Sequence, residues 1–259
     1  MSEPSRAAPW YIDPAAPEAA ADRNLASSLA IEPVEVPPPH GLYLKREAAG
    51  LGLHRADGPR THPLTLDLSA LLAERMRGAR QSPLAKACGL ARPAPQHLCD
   101  ATAGLGRDSV VAAWLGAEVT PIERCAPIYC LLLDAWQRAQ SLSGAPSAWI
   151  QRLARPEPVD ATTWLSQAVP GRFDTIYMDP MFAAARRKAR PQKALAWLGE
   201  LAGPDPDAAA LLAAARRVAA TRVVVKQHAR SQPLATPSHQ IQAKAVRFDV
   251  YLTGLGVSS

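Results

Sequence analysis

The sequence has few of the residues that mark disulfide-bonded, metal-binding or membrane-spanning proteins. Its four cysteines form no C-x-x-C pair and have no histidine cluster beside them, so we expect reduced core thiols and no metal site. There is no run of about 18 apolar residues, the shortest that would suggest a membrane span. The first residues, 1–4, lack the basic and then apolar pattern of a secretion signal, and we therefore expect a cytoplasmic protein. The cysteines are Cys88, Cys99, Cys125 and Cys130.

Acidic residues are also in the minority. The 29 Lys and Arg residues outnumber the 23 Asp and Glu residues, which gives a net charge of +6 at pH 7. An excess of positive charge favours a polyanionic partner, with nucleic acid as the first candidate. The alternative is an Arg-rich composition imposed by a GC-biased genome, which the 25 prolines also fit. The length of 259 residues suits one full α/β domain and a smaller unit.

The short stretch Asp179-Pro180-Met181-Phe182 follows the apolar run 173–178, which predicts a buried strand that ends at the proline. In open α/β sheets, ligands bind at the carboxyl ends of the strands. An acid, a rigid carbonyl and an aromatic ring at that edge suit a flat ring that carries an amine. Asp179 and the Pro180 carbonyl would accept hydrogen bonds from the amine, and Phe182 would stack on the ring. The alternative is a simple turn with a core phenylalanine.

A second stretch, 98–108, predicts a strand, a glycine-containing loop and the start of a helix. Gly104 and Gly106 allow the backbone to approach a ligand closely, and the helix that follows offers free N–H groups. The pattern differs from G-x-G-x-x-G and is closer to the D-x-x-x-G-x-G loop of enzymes that bind S-adenosylmethionine (AdoMet). In this loop the acid is Asp100. The next predicted strand ends at Glu123, which is suitably placed to hold two ribose hydroxyls.

Five sequence blocks, in this order and spacing, resemble one family of enzymes. The blocks are DATAGLGRD, PIERCAP, YMDPMF, TRVVVK and RFDVY. They resemble the bacterial methyltransferases that act on the N2 amine of a guanosine near the 3′ end of 16S ribosomal RNA. The resemblance covers residues 95–253, with a weaker similarity over 42–92. Two positions depart from the family pattern on the substrate side: Ala183 replaces a proline, and Gln227-His228 replaces Arg-Pro.

The resemblance implies a class I (Rossmann-like) α/β fold with a seven-stranded sheet whose last strand is antiparallel. It also implies AdoMet as cofactor and 16S RNA or the 30S subunit as partner. The cofactor contacts implied are Arg107, Asp108, Glu123, Arg124, Ala161, Thr162 and Asp179, which join Asp100, Gly104 and Gly106 from the loop. Candidate catalytic residues are Asp179, Pro180 and Phe182. Candidate RNA contacts are Arg186, Arg187, Lys188, Arg190 and Lys193, together with Lys226.

The basic run 186–193 places five cations within eight residues, with no acid among them. Because it directly follows the candidate active site, we interpret it as a contact for RNA phosphates. The alternative is a solvated loop. Asp160 lies at the end of a weak third strand predicted at 158–161. It would either accept a hydrogen bond from the adenine amine or cap the next helix.

The chain before the glycine loop predicts a small α+β unit over residues 1–90. Strands are expected at 10–12, 42–44, 51–53 and 64–68, with helices at 18–30 and from residue 71 to 76. The basic end of this unit, around Arg75 and Arg80, would form one wall of an RNA cleft. The methyltransferase domain would then occupy residues 91–259.

Three other functions use part of the same pattern. A dinucleotide-dependent oxidoreductase would share the glycine loop but would leave D-P-M-F and the basic run unexplained. A methyltransferase acting on another RNA or DNA base amine, or on protein, would keep the cofactor residues. An RNA-binding protein without activity would keep the fold but would not need acids at positions 100, 123 and 179.

Overall fold

Two β-sheets with helices packed on them form the protein. The computed structural model describes residues 8–57, 62–91, 96–141, 148–180 and 193–254. The strands are β1 (Trp10–Tyr11), β2 (Pro33–Val34), β3 (Leu42–Glu47), β4 (Gly50–Arg55), β5 (Leu64–Thr65), β6 (Gln96–Asp100), β7 (Ala117–Pro121), β8 (Phe173–Met178), β9 (Ala219–His228), β10 (His239–Gln242) and β11 (Val246–Leu252). The helices are α1 (Ala19–Ser28), α2 (Leu68–Arg75), α3 (Pro83–Cys88), α4 (Arg107–Leu115), α5 (Ala126–Gln140), α6 (Ala161–Ser166), α7 (Lys193–Ala202) and α8 (Ala208–Val218).

The larger sheet has the strand order β10-β11-β9-β8-β6-β7. Strands β6 to β9 pair in parallel, and β11 pairs antiparallel with β9 and β10, so the antiparallel last strand is confirmed. The central valines of β9 are fully buried because both faces of this sheet are covered. Val223 and Val225 pack in one apolar cluster, and Val224 packs in the other. Alternate side chains of a strand therefore supply cores on opposite faces.

The seventh strand is where the prediction from sequence was wrong. In the described residues the larger sheet has six strands, and the expected strand at 158–161 is absent. The segment just before it makes two isolated parallel bridges at the sheet edge, Leu153 to Val119 and Glu157 to Ile122. Asp160 then accepts a hydrogen bond from the Thr163 backbone N–H at 2.9 Å and so caps α6. The chain therefore turns into α6 at Asp160 and leaves the sheet edge there.

The smaller sheet, in the order β2-β1-β3-β4-β5, is built from the N-terminal part of the chain. Its central hairpin, β3–β4, confirms the two strands expected around a turn, although both strands are longer than predicted. The strand expected at 64–68 is reduced to Leu64–Thr65. Its end is explained by Asp67, whose carboxylate accepts hydrogen bonds from the Ser69 and Ala70 backbone N–H groups and starts α2.

An ionic cluster joins this hairpin to α5. The Arg46 guanidinium donates to both carboxylate oxygens of Asp22, at 2.6 and 2.8 Å, and to Asp134 at 2.7 Å. Asp134 also accepts from the Leu51 N–H at 3.0 Å and from Arg138 at 2.9 Å. Burial alone would raise the pKa of Asp134, but these donors outweigh burial and lower it. Asp134 is therefore a buried anion that is stabilised by donors from β3 and β4 of the smaller sheet and from α5 itself.

The described residues include no helix long and apolar enough to cross a membrane. In the same part of the chain, no three His, Cys, Asp or Glu side chains lie together as a metal site would require. All four cysteines are free and buried, and burial raises the pKa of their thiols, to about 12 for Cys125.

Candidate active site at the carboxyl edge of the larger sheet

A cavity of about 640 Å³, which includes its solvent-open mouth, lies at the carboxyl ends of β6, β7 and β8. This is the edge at which open α/β sheets bind ligands. Seven of the predicted cofactor residues line the cavity: Gly104, Glu123, Arg124, Asp160, Ala161, Thr162 and Asp179. Residues that the sequence did not single out complete the walls: Ala101, Thr102, Ile122, Ile128, Leu198, Ala202, Asp205, Asp207, Ala208 and Leu211. The lining thus combines apolar side chains with five carboxylates.

The two glycines of the loop have different roles. Gly104 has φ +54°, and the nearest atom to a Cβ added there would be the Thr102 carbonyl oxygen at 4.0 Å. Gly106 has φ +71° and precedes α4, but a Cβ at that position would lie 2.8 Å from the Cδ1 of Leu132. Only Gly104 lines the cavity. Gly104 therefore leaves space for a ligand, whereas Gly106 allows the loop to pack against α5.

Glu123 lies two residues after the end of β7 and holds the glycine loop by a hydrogen bond. One carboxylate oxygen accepts from the Gly104 N–H at 2.8 Å, and the other accepts from the Cys125 N–H at 2.7 Å. Burial raises the pKa of Glu123 to about 7, although these two hydrogen bonds oppose the rise. Each oxygen retains a second lone pair that can accept a hydrogen bond from a ligand.

Asp100 lies behind the loop and does not line the cavity. It is buried, and its carboxylate accepts from the Ser109 hydroxyl at 2.5 Å and from the Thr102 N–H at 3.3 Å. Burial raises its pKa to about 7. These contacts hold the strand, the loop and α4 together, so the role that the structure gives Asp100 is to shape the loop.

Asp179 occupies the end of β8 and faces the cavity. Its backbone N–H donates to the Thr102 hydroxyl at 2.6 Å, which ties the end of β8 to the end of β6. Its Oδ2 lies 2.8 Å from the Nζ of Lys226 on β9. Pro180 is buried beside it. Six further predicted side chains lie outside the part of the chain that the structure describes. They are Phe182 and the basic run Arg186, Arg187, Lys188, Arg190 and Lys193.

Asp108, on the first turn of α4, is the centre of a second set of contacts. It accepts from the Tyr177 hydroxyl at 2.6 Å and from Lys226 at 2.8 Å, and Arg75 of α2 lies 3.4 Å away. Burial would raise the pKa of Asp108, but Lys226 and the other donors lower it. Neither Asp108 nor its neighbour Arg107 lines the cavity. Lys226 has two carboxylate partners, so an RNA phosphate would have to compete with both.

Arg124 closes one side of the cavity. It contacts Asp205, and it lies 2.8 Å from Asp207 and 3.5 Å from Asp160. Burial would lower the pKa of Arg124, but the three carboxylates raise it above its ordinary value. Asp205 and Asp207 were not predicted from the sequence as site residues. The run Gly203-Pro204-Asp205-Pro206-Asp207, acidic and placed just before α8, was the signal that could have indicated them.

The fold and this cavity define a class I AdoMet-dependent methyltransferase. Residues 29–253 match the family model described as "Putative SAM-dependent methyltransferase". The structure resembles that of the SAM-dependent methyltransferase from Neisseria gonorrhoeae with a TM-score of 0.72 and 31% identity, over 94% of this chain and 95% of the other.

Curated relatives identify the family within this class. Ribosomal RNA small subunit methyltransferase J from Pseudoalteromonas atlantica is 39% identical over 222 residues, which cover 82% of this chain and 86% of the relative. The protein of the same name from Alkalilimnicola ehrlichii is 39% identical over 251 residues, 92% of this chain and 91% of the relative. The chain belongs to the ribosomal RNA small subunit methyltransferase J family.

The residues of the cavity fit AdoMet. Apolar side chains from Ile122, Ile128 and Leu211 suit an adenine ring, and the open space at Gly104 suits a ligand backbone that passes close to the loop. The carboxylates of the lining can accept hydrogen bonds from the hydroxyls of a nucleoside and can attract a positively charged sulfur. When bound, AdoMet supplies an electrophilic methyl group on a sulfonium.

Proposed function

We propose that this enzyme methylates the exocyclic N2 amine of a guanosine near the 3′ end of 16S ribosomal RNA. The names of the curated relatives support ribosomal RNA of the small subunit as the substrate class. The resemblance described from the sequence supports the guanine N2 amine as the methyl acceptor. We propose that the enzyme meets this RNA in the cytoplasm, either as free 16S RNA or within the 30S subunit.

The observation that carries the proposal is the placement of Asp179. Asp179 lines the cofactor cavity, and two contacts hold the residue: its backbone N–H donates to the Thr102 hydroxyl, and its carboxylate pairs with Lys226. Among the described residues no hydrogen bond to its other oxygen, Oδ1, occurs. That oxygen can accept a hydrogen bond from an amine brought to the cavity mouth.

The chemistry of the acceptor explains why an acid is needed there. The lone pair of the guanine N2 amine is delocalised into the ring, so the amine is a weak nucleophile. Hydrogen bonds to the Asp179 carboxylate and the Pro180 carbonyl would localise that pair as the nitrogen becomes tetrahedral. The carboxylate would also stabilise the positive charge that develops on the nitrogen. Catalysis then rests on positioning and electrostatics, and no covalent enzyme intermediate is needed.

We assign the cofactor contacts by what each residue offers. Glu123 would accept from the ribose hydroxyls with the lone pairs that its two backbone donors leave free. Asp160 would accept from the adenine amine while it caps α6, so that both of its predicted roles apply. Arg124 would hold the loop before α8 against the cavity through Asp205 and Asp207.

RNA contacts would come from two parts of the chain. The basic run 186–193 directly follows the active-site turn, and Phe182 within that turn would stack on the extruded guanine, worth roughly 1–3 kcal/mol. The N-terminal unit, 1–90, would supply the opposite wall. Its cations Arg75, Arg77, Arg80 and Lys86 are exposed, and Arg75 reaches Asp108 beside the active site.

Transfer of a labelled methyl group from AdoMet tests the proposal. Purified enzyme would be incubated with 30S subunits, naked 16S RNA, DNA and protein, and the RNA digested to nucleosides for mass spectrometry. We expect N2-methylguanosine in 16S RNA from one or both ribosomal substrates. Folded Asp179→Asn should be about 10²–10³-fold slower in a single turnover at saturating AdoMet, as is typical for loss of an electrostatic contact to the transition state. Label in another base, in DNA or in protein would refute the assignment.

A further inference from the structure

Lys226 lies between two carboxylates at the edge of the active site. Its Nζ is 2.8 Å from Oδ2 of Asp108 and 2.8 Å from Oδ2 of Asp179. The side chain of Lys226 is 22% exposed and that of Asp108 is 13% exposed, so the pair is largely removed from water. Asp179 is 41% exposed on the cavity side. The lysine thus joins a buried acid of α4 to an acid that lines the cavity.

The contacts of Asp108 determine the direction in which the lysine is held. Tyr177 of β8 and Arg75 of α2 also donate to Asp108, so contacts from two other elements hold this carboxylate of α4 in place. Burial would lower the pKa of Lys226, but the two carboxylates raise it above its ordinary value, so the ammonium stays charged. A charged, anchored donor can hold one oxygen of Asp179 in a single place.

We propose that Lys226 is a positioning residue for methyl transfer, which fixes Oδ2 of Asp179 and directs Oδ1 towards the incoming amine. This inference rests on the proposed function and replaces the interpretation of Lys226 as an RNA phosphate contact. A lysine that bound phosphate would need its ammonium turned to the surface, whereas two of the three donors of this ammonium are directed at carboxylates.

The charges around Asp179 predict the direction in which its pKa changes when a neighbouring charge is removed. Burial raises the pKa of Asp179, Lys226 opposes the rise, and the anions Asp108 and Asp205 add to it. Removal of Lys226 should therefore raise this pKa further, and removal of Asp108 should lower it. In the described part of the chain, the titratable and charged groups that face Asp179 are Lys226, Asp108, Asp100, Asp205 and Tyr177, with Arg75 acting through Asp108.

The test compares Lys226→Met, Lys226→Arg and Asp108→Asn by pH titration. The carboxyl carbon-13 resonance of Asp179, assigned with Asp179→Asn, would report its protonation without any need for activity. We expect Lys226→Met to move the Asp179 titration and the acidic limb of the single-turnover rate to higher pH. At neutral pH the rate should fall about 10- to 100-fold, as a displaced catalytic group typically costs. Lys226→Arg should restore most of the rate, and Asp108→Asn should move the titration in the opposite direction.

The salt dependence of RNA binding, the pH dependence of the rate and the melting temperature separate this role from its rivals. If Lys226 contacts RNA instead, Lys226→Met should change the log–log salt dependence of RNA binding by about 0.7–0.9, and the titration of Asp179 should stay in place. If the residue is only structural, the rate should fall equally at all pH values and follow the melting temperature. Either result would overturn the proposal. Lys45→Met, which removes a lysine paired with Glu47 in the N-terminal hairpin, is the control for loss of a cation. A wild-type enzyme without RNA methylation would refute the proposed function, while the resonance shift would still test the contact.

Discussion

The glycine loop provides the sharpest test of where the cofactor lies. Gly104→Ala adds one methyl group at a position where, apart from residues 103–105 themselves, the nearest atom of the described residues would be 4.0 Å away. The added Cβ therefore meets little of the protein and projects from the loop that lines the cavity. If AdoMet passes over this loop, the methyl group will collide with it.

The expected magnitude has two separate parts. An alanine at φ +54° is strained by about 1–2 kcal/mol, which lowers the free energy of unfolding. Crowding a filled site by one carbon costs roughly 1–3 kcal/mol, which corresponds to AdoMet binding about 5- to 150-fold weaker. Gly78→Ala is the matched control: Gly78 has φ +68° and also has nothing within 4 Å of a Cβ, but it lies in the N-terminal unit.

Isothermal titration calorimetry of AdoMet, together with urea unfolding of each variant, makes the comparison. Both alanine variants should lose similar stability, and only Gly104→Ala should lose affinity. Unchanged AdoMet affinity in folded Gly104→Ala would show that the cofactor does not cross this loop and would refute the reasoning.

Two further predictions concern the residues behind the loop. Gly106→Ala should lose about 2–4 kcal/mol of unfolding free energy, since its Cβ would lie 2.8 Å from the buried Leu132 side chain and its φ is +71°; a loss no larger than that of Gly78→Ala would contradict this. Burial raises the pKa of Asp100 to about 7 from an ordinary value near 4. The folded protein then holds a proton that the unfolded chain releases, so this contribution to stability is present below about pH 4 and is lost as pH rises to about 7. Asp100→Asn should make urea stability less dependent on pH between about 4 and about 7, and an unaltered dependence would exclude Asp100 as its source.

Much of the methyltransferase fold could be predicted because the relevant signals are local. The buried run 173–178 became β8 with the same bounds, and the glycine loop produced the expected strand, turn and helix. Apolar strands and left-handed glycines depend mainly on their own residues, so a single sequence is sufficient to place them.

The rest depended on contacts between distant residues. Asp205 and Asp207 enter the cavity only because α8 packs at the same edge of the sheet, more than 80 residues after Arg124 in the chain. The partners of Lys226 come from α4 and β8, and its sequence neighbours gave no indication of them. At the sheet edge, Leu153 is buried while the residues that follow it, 154 and 155, are exposed. This segment therefore has neither the alternation nor the apolar run by which an edge strand is found.

The ionic cluster around Arg46 has a consequence for how this protein can be divided. Asp134 belongs to α5 of the larger unit, yet it depends on donors from β3 and β4 of the smaller sheet. A fragment that began near residue 91 would leave this acid, 8% exposed, without Arg46 and without the Leu51 N–H. The fragment would keep Arg138 as a partner of Asp134, but the face of α5 that packs on β4 would become exposed to water. The N-terminal sheet is therefore part of the support of α5, and an excised catalytic fragment would be a poor starting point for engineering new RNA specificities.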